Sequence, residues 1–275
     1  MLLIANEMTT GRSTDRCRGA AGRFVDTRLA EGRVAFTLAE LIAETGLSAV
    51  AANNQLRRLR ARVCRVSRPQ PFFLIVDAGH RLMGAPPVDW WLDEYFRWLG
   101  HPYYVALLSA AALHGVAPQA VQVHQVMTDT PRRGISVGRL RVRFFSKRDI
   151  ERTPVQQQPG AYAPLRVSTP ETTCLDLVGY ASRMGGMARA NETLASLVPL
   201  MRTATLRDAL DAERNVRSAQ RLGYLLDRAG ADRLAAVVQD WLPARLSWCP
   251  LGTRGACPAH RSLRWRVLVH AESLT

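Results

Sequence analysis

Residues 36–68 read FTLAELIAETGLSAVAANNQLRRLRARVCRVSR and contain two short helical patterns separated by a glycine. Thr37 is followed three residues later by Glu40, which matches a capping box and predicts that a helix begins there. Gly46 supplies the left-handed residue that often ends a helix, and Ser48 is a typical N-cap for the next one. The stretch therefore predicts two helices joined by a tight turn.

The second helical pattern has an apolar side and a polar side. Its apolar residues recur at spacings of three and four, as in an amphipathic helix: Ala49, Ala52, Leu56, Leu59 and Val63. At about 100° per residue, the opposite side carries Val50, Asn53, Asn54, Arg57 and Arg58. In the DNA major groove asparagine pairs with adenine, arginine pairs with guanine, and valine can contact a thymine methyl group. The pattern predicts the recognition helix of a helix-turn-helix, with Asn53, Asn54, Arg57 and Arg58 reading bases.

A hairpin is predicted directly after this helix. Strand-like segments at 64–67 and 72–76 flank the turn Arg68-Pro69-Gln70-Pro71. With a first helix at 14–31, the pattern predicts a winged helix-turn-helix over residues 14–82. Side chains around the recognition helix and in the wing would bind phosphates, which position a protein on DNA without reading its sequence. This predicted phosphate-binding set is Ser48, Arg62, Arg65 and Arg68.

The positions of the charged residues support this interpretation more strongly than the net charge does. The net charge of +14 favours polyanionic partners. However, Lys147 is the only lysine, and such strong use of arginine is typical of a GC-rich genome. From Thr45 to Val76 the chain has six arginines and no acidic residue, which is the more informative feature. The alternative is a helical hairpin whose arginines are merely solvated. The paired asparagines weigh against it, because asparagine is a poor helix former.

The rest of the chain predicts a larger mixed α/β domain over residues 88–275, after the break Gly84-Ala85-Pro86-Pro87. The predicted fold class is therefore α+β. Helices are expected at 88–99, 103–114, 170–180, 191–201, 205–211, 216–228 and 232–241. Strands are expected at 121–126, 139–145 and 264–269, where apolar residues alternate with polar ones.

The composition disfavours membrane and secreted proteins. No apolar run approaches the roughly 20 residues that a membrane span needs. The start, MLLIANE, has no basic segment before its short apolar run, so it is a poor signal peptide. The five cysteines are scattered and odd in number, which suits reduced thiols. We expect a cytoplasmic protein.

Several blocks of the predicted second domain resemble one protein family. They are PYYVALLSAAALHG at 102–115, STPETTCLDLV at 168–178, GG at 185–186, QRLGYLLD at 220–227 and RWRVLV at 264–269. In this order, and preceded by a winged helix, they resemble the AbiEi family of antitoxins from type IV toxin–antitoxin systems. The resemblance runs from about residue 15 almost to the end of the chain.

The resemblance implies a function for each domain. The winged helix would bind repeated operator sequences in double-stranded DNA upstream of its own operon and repress that operon. The second domain would counteract a nucleotidyltransferase-like toxin without forming a stable complex with it. The family is linked to abortive phage infection. The alternative is a stand-alone winged-helix regulator whose second domain senses a ligand or partner.

A nuclease is disfavoured by the residues around the only lysine. Metal-dependent nucleases of the restriction type place an acidic residue two positions before a lysine on a strand, together with a second acid. Phe145 stands two positions before Lys147, and Asp129 has no carboxylate partner at the expected spacing. We therefore expect no catalytic residues and a protein that is not an enzyme.

A zinc site is also disfavoured. Its candidate ligands would be Cys249, Cys257, His260 and His270, but their spacing matches none of the familiar paired zinc motifs. His114 follows an apolar helical pattern, where a histidine favours the C-terminal end of a helix. We expect neither a metal nor a cofactor.

Overall fold

The computed structural model describes residues 19–67, 69–116, 122–160, 162–252 and 259–270. These residues form two compact units. The first contains the described residues through Leu99 together with those of 135–141 and 160–163, and the second contains the other described residues. The domain ranges 14–82 and 88–275 stay a prediction.

The first unit has the element order of a winged helix, which confirms the predicted fold class for this part. Its elements are α1 (Ala20–Ala30), β1 (Ala35–Thr37), α2 (Leu38–Thr45), α3 (Ala49–Arg58), β2 (Val63–Ser67) and β3 (Gln70–Ile75). The three strands are antiparallel neighbours in the order β1-β3-β2, and β2 and β3 form the wing. A short 3₁₀ helix (Val88–Trp90) and α4 (Leu92–Leu99) follow.

The predicted helix boundaries around the turn are confirmed. The Glu40 backbone N–H donates to Thr37 Oγ1 at 3.2 Å, and the Thr37 N–H donates to Glu40 Oε2 at 2.6 Å, so the capping box is formed. Gly46 ends α2 with a φ of 69°, a conformation that glycine adopts at little cost. Ser48 Oγ accepts the Ala51 N–H at 3.2 Å and caps α3.

The predicted apolar side of α3 is partly wrong. Ala52 and Leu56 are buried, but Ala49 is exposed and the helix ends at Arg58. Val63 begins β2, where it pairs with Ile75. A valine suits a pleated strand better than a helix, and at this position it still reaches the core of the unit.

The second unit is built around a mixed sheet. Its strands are β4 (Tyr103–Val105), β5 (His124–Thr128), β7 (Leu140–Ser146), β8 (Val155–Gln158) and β9 (Leu165–Ser168), in the order β7-β5-β4-β9-β8. The intervening strand β6 (Ile135–Val137) and the first two residues of β7 belong to the first unit. Helix α5 (Leu107–Leu113) follows β4. Strand β4 is antiparallel to β5 and parallel to β9, so it lies inside the sheet.

The described part of the second unit also contains five longer α-helices and a small sheet. The helices are α6 (Pro170–Gly179), α7 (Gly186–Leu197), α8 (Thr203–Glu213), α9 (Val216–Arg228) and α10 (Asp232–Trp241). The strands of the small sheet are β10 (Cys249–Pro250), β11 (His260–Ser262) and β12 (Val267–Val269). Helices α9 and α10 coincide with the predicted ranges, and the Thr169 side chain caps α6 by accepting the Thr172 N–H. None of the described helices is both long enough and apolar enough to cross a membrane.

The single helix predicted at 103–114 is wrong, because its first three residues form β4. Tyr103, Tyr104 and Val105 are aromatic or β-branched, which favours a strand, and all three are buried between neighbouring strands. Leu107 has a φ of 58°, so the chain turns sharply before α5. The helix predicted at 88–99 is likewise divided by Trp91, and the strand predicted at 121–126 begins at His124.

Replacing Gly223 with alanine is expected to lower the free energy of unfolding by about 1–3 kcal/mol, which is typical of overpacking a core. An added Cβ would lie 2.1 Å from Cζ3 of Trp265, a fully buried ring whose Nε1 donates to Asp227. Chemical denaturation measures the change. Gly179→Ala is the matched control, because its nearest atom would lie 3.5 Å away. Equal stability of the two variants would contradict the prediction.

Candidate nucleic-acid interface

The outward side of α3 carries the predicted base-reading residues together. Asn53, Asn54, Arg57 and Arg58 are all exposed, while Ala52 and Leu56 of the same helix are buried in the core of the first unit. Val50, which the sequence places on the same side, is 72% exposed. The arrangement presents amide, guanidinium and methyl groups on one face, and these are the groups that read base edges.

Asn53 differs from its neighbour in having a partner within the helix. Its Nδ2 donates to the Ala49 carbonyl oxygen at 2.8 Å. Asn53 therefore has a structural partner of its own, so it weighs less strongly against the alternative of a helical hairpin with solvated arginines. Its Oδ1 is not used in this bond and is an acceptor.

Several acidic residues of the first unit pair with arginines that lie outside α3. Arg28 pairs with Glu44, and Arg33 lies 2.9 Å from Glu94. Burial lowers the pKa of Arg33, but Glu94 and a second carboxylate outweigh it, so this pKa lies above its ordinary value. Within the described residues, no ion pair involves Arg57 or Arg58. Among the residues that the structure describes, the arginines of the α3 face are therefore not paired with an acid.

The predicted phosphate-binding residues occupy different surroundings. Ser48 is exposed and caps α3. Arg62 is half-buried and pairs with Asp26 of α1. Arg65 is exposed on the wing, where its guanidinium carbon lies 5.6 Å from the centroid of the Phe73 ring. Arg68 lies outside the described residues.

Gln55 joins α3 to α1, although nothing in the sequence singled it out. Its Oε1 accepts the Ala21 N–H at 2.9 Å, which joins α3 to the first turn of α1. A Cβ at Gly19 would lie 2.6 Å from the same oxygen, so this contact depends on a glycine at that position. Two aromatic contacts join α1 to the strands of the same unit: Phe24 meets Phe36 edge-on at 5.1 Å, and Phe36 stacks on Phe73 at 5.4 Å.

The second unit contains a buried charged cluster that the sequence did not predict. Lys147 Nζ lies 3.0 Å from Asp176 Oδ1 and 2.7 Å from Glu213 Oε2. The Tyr104 hydroxyl donates to Asp176 Oδ2 at 2.9 Å. Burial lowers the pKa of Lys147, but the two carboxylates outweigh it and hold this pKa above its ordinary value. The ammonium therefore occupies the space between the carboxylates as their counter-ion.

The candidate zinc ligands and His114 lie in different surroundings. Cys249 and His270 are buried and His260 is exposed, while Cys257 lies outside the described residues. Across the described ranges, no group of three or more histidine, cysteine, aspartate or glutamate side chains is arranged to hold a metal ion. The Ser168 carbonyl oxygen accepts a hydrogen bond from His114 Nε2 at 2.8 Å, so this histidine joins α5 to β9.

The buried cluster falls within a region that matches a known family. Residues 104–228, just under half of the chain, match the sequence model of the AbiEi antitoxin C-terminal domain. This part of the chain is similar to AbiEi antitoxin C-terminal domains, and residues 104–228 are called the AbiEi domain below. Lys147, Asp176 and Glu213 all belong to this AbiEi domain, as does Tyr104 at its first position. The match confirms the family resemblance and supports a role in a toxin–antitoxin system.

The comparison with solved structures concerns the fold. The RV2827C protein from Mycobacterium tuberculosis is similar with a TM-score of 0.65 and 16% identity, over 93% of this chain and 92% of that one. An antigenic nucleotidyltransferase-like protein from Paracoccidioides brasiliensis has a TM-score of 0.38 and 11% identity, over 54% and 88%. That score is too low to support a conclusion. A comparison with curated protein sequences gives no match.

Proposed function

We propose that this protein is a DNA-binding transcriptional repressor of its own operon and the antitoxin to a nucleotidyltransferase-like toxin. The observation that carries the proposal is the exposed asparagine and arginine face of α3, whose arginines pair with no acid among the described residues, in a chain that also matches the AbiEi domain. The protein would act in the cytoplasm in defence against phage.

The proposed DNA contacts fall into two groups. Asn53, Asn54, Arg57 and Arg58 read bases in the major groove, since α3 offers them on one face. The residues that bind phosphates are those at the start of α3 and around the wing: Ser48, Arg62, Arg65 and Arg68. A guanidinium has five donors, so Arg62 can contact a phosphate while it keeps its pair with Asp26.

The proposed antitoxin activity is not enzymatic. In the AbiEi domain the two buried carboxylates of the charged cluster are held by Lys147, whose side chain is only 9% exposed. An ammonium in that position stabilises the domain and leaves the carboxylates committed to it. The domain would counteract the toxin without a stable complex, as the family resemblance implies.

Two measurements on the full chain test the proposal. Gel shifts at one fixed salt concentration compare the DNA upstream of the operon with unrelated DNA of the same length, because affinity for DNA depends strongly on salt. We expect tighter binding to the upstream repeats. Co-expression with the nucleotidyltransferase-like protein encoded beside it is expected to restore growth.

The outcomes separate the candidate functions. Selective DNA binding without rescue from the toxin would favour the stand-alone regulator. Rescue without selective binding would remove the repressor role. A pull-down in which toxin and antitoxin stay together would contradict the proposal that no stable complex forms.

A further inference from the structure

The turn of the wing is held by a buried tyrosine of α4. The hydroxyl of Tyr95, which is only 2% exposed, donates to Oε1 of Gln70 at the start of β3. Ser67 Oγ donates to the same oxygen at 3.0 Å, across the turn. The Gln70 backbone carbonyl in turn accepts the Nε–H of Arg65 at 2.8 Å. These bonds form a chain from Tyr95 through Gln70 to Arg65.

Arg65 is consequently fixed although it is exposed. Its guanidinium carbon lies 5.6 Å from the centroid of the Phe73 ring, and Phe73 is its partner across the hairpin. The bond to Gln70 uses one of the five guanidinium donors. An irregularity in the strand pairing between Arg65 and Ser67 makes the backbone here less regular than in the rest of the wing. The bonds to Gln70 therefore determine where the guanidinium lies.

Tyr95 is itself held firmly within the first unit. Its ring meets the Phe72 ring edge-on at 5.2 Å, and Phe72 also contacts Trp98 at 5.4 Å. One turn before Trp98, Glu94 pairs with Arg33 at 2.9 Å. Helix α4 is thus fixed by packing and by an ion pair, and the Tyr95 hydroxyl has a defined position from which to hold the wing.

We infer that Tyr95 is a positioning residue for DNA binding, because it fixes Gln70 and, through it, the guanidinium of Arg65 against a DNA phosphate. The inference rests on the proposed function. An arginine that is already fixed loses less side-chain freedom when it binds, so fixing it increases affinity. Tyr95 acts through Arg65 and does not touch DNA.

A double-mutant cycle on the full chain tests the inference. The proteins are the wild type, Tyr95→Phe, Arg65→Ala and the double variant, and the affinity for the upstream repeats is measured over a series of salt concentrations. Arg65→Ala should lower the slope of log affinity against log salt by about 1, as for one lost phosphate contact. Tyr95→Phe should weaken binding about two- to tenfold, and the double variant should bind no more weakly than Arg65→Ala alone.

The controls separate positioning from folding. Tyr180→Phe removes a hydroxyl that donates to the Ser146 carbonyl oxygen at 2.6 Å, far from the wing in sequence, and should leave DNA affinity unchanged. Thermal unfolding of each variant shows whether it is folded. If Tyr95→Phe does not fold, Gln70→Met breaks the same chain of bonds at its middle and takes its place in the cycle.

The results distinguish the inference from the function on which it rests. If Arg65→Ala weakens DNA binding and the losses of affinity from the two substitutions add in the double variant, the inference is overturned. The DNA contact of the wing would still stand. Wild-type affinity of Arg65→Ala would overturn both the wing contact and the inference. Loss of any preference for the upstream repeats in the wild type would overturn the proposed function itself.

Discussion

Replacing Lys147 with methionine is expected to lower the free energy of unfolding of the AbiEi domain by about 3–5 kcal/mol, which is typical when one partner of a buried ion pair is removed. Methionine has a similar length but no charge. It would leave Asp176 and Glu213, which are 1% and 15% exposed, without their counter-ion. The substitution removes contacts among three elements at once, because Lys147 follows β7 while the carboxylates belong to α6 and α8.

The effect of this substitution is expected to depend on pH. Burial already raises the pKa of Asp176 above its ordinary value of 3.8, and Lys147 opposes that rise. Without Lys147 the pKa of Asp176 should rise further, so the folded variant would hold a proton that the unfolded chain releases. A carboxyl group whose pKa is higher in the folded state contributes less to the stability of the protein as the pH rises from its unfolded pKa through its folded pKa. The decrease in the free energy of unfolding caused by Lys147→Met should therefore be smaller at pH 5 than at pH 7.

Chemical denaturation of the full chain at both pH values measures the change. The matched control is Arg148→Met, which removes a positive charge from the next residue, where the side chain is exposed. A surface change of this kind should have little effect. Adding Asp176→Asn to the Lys147→Met variant should recover part of the stability. If Lys147→Met were no more destabilising than Arg148→Met, the cluster would not be what holds these elements together.

Local features of the fold could be predicted because they depend on neighbours in the sequence. The capping box at Thr37, the glycine at 46 and the N-cap at Ser48 each act within about one helical turn, and all three were recognised. The ranges of α9 and α10 followed in the same way from their apolar spacing. Such signals need no knowledge of the rest of the chain.

Features that depend on distant parts of the chain could not be predicted in this way. Tyr103–Val105 has helix-compatible spacing, and only its pairing with β5 and β9 makes it a strand. Lys147 and Glu213 are distant in sequence, so the charged cluster appears only once β7 and α8 are brought together. The base-reading set of the α3 face was proposed from sequence and is exposed as a group, but its contacts with DNA stay a prediction.

Replacing both Arg57 and Arg58 with alanine is expected to weaken binding to the upstream repeats by about 2–6 kcal/mol, since each good contact with a guanine is worth about 1–3 kcal/mol. Both side chains are exposed and stand in the last turn of α3. Alanine favours a helix more than arginine does, so the helix should persist. Because base contacts carry specificity, the preference for the repeats over unrelated DNA should fall together with affinity.

A purely structural role for these arginines makes a different prediction. Positive charges in the last turn of a helix interact favourably with its dipole, typically by about 0.3–1 kcal/mol, so the double variant would then lose stability and keep its preference for the repeats. The control is Arg228→Ala with Arg233→Ala, which removes the same charge from exposed positions of the second unit. Any loss of binding in this control variant should be the same for the repeats and for unrelated DNA. Only a loss of preference specific to the α3 variant identifies Arg57 and Arg58 as readers of the operator, because a general loss of positive charge weakens binding to every DNA sequence.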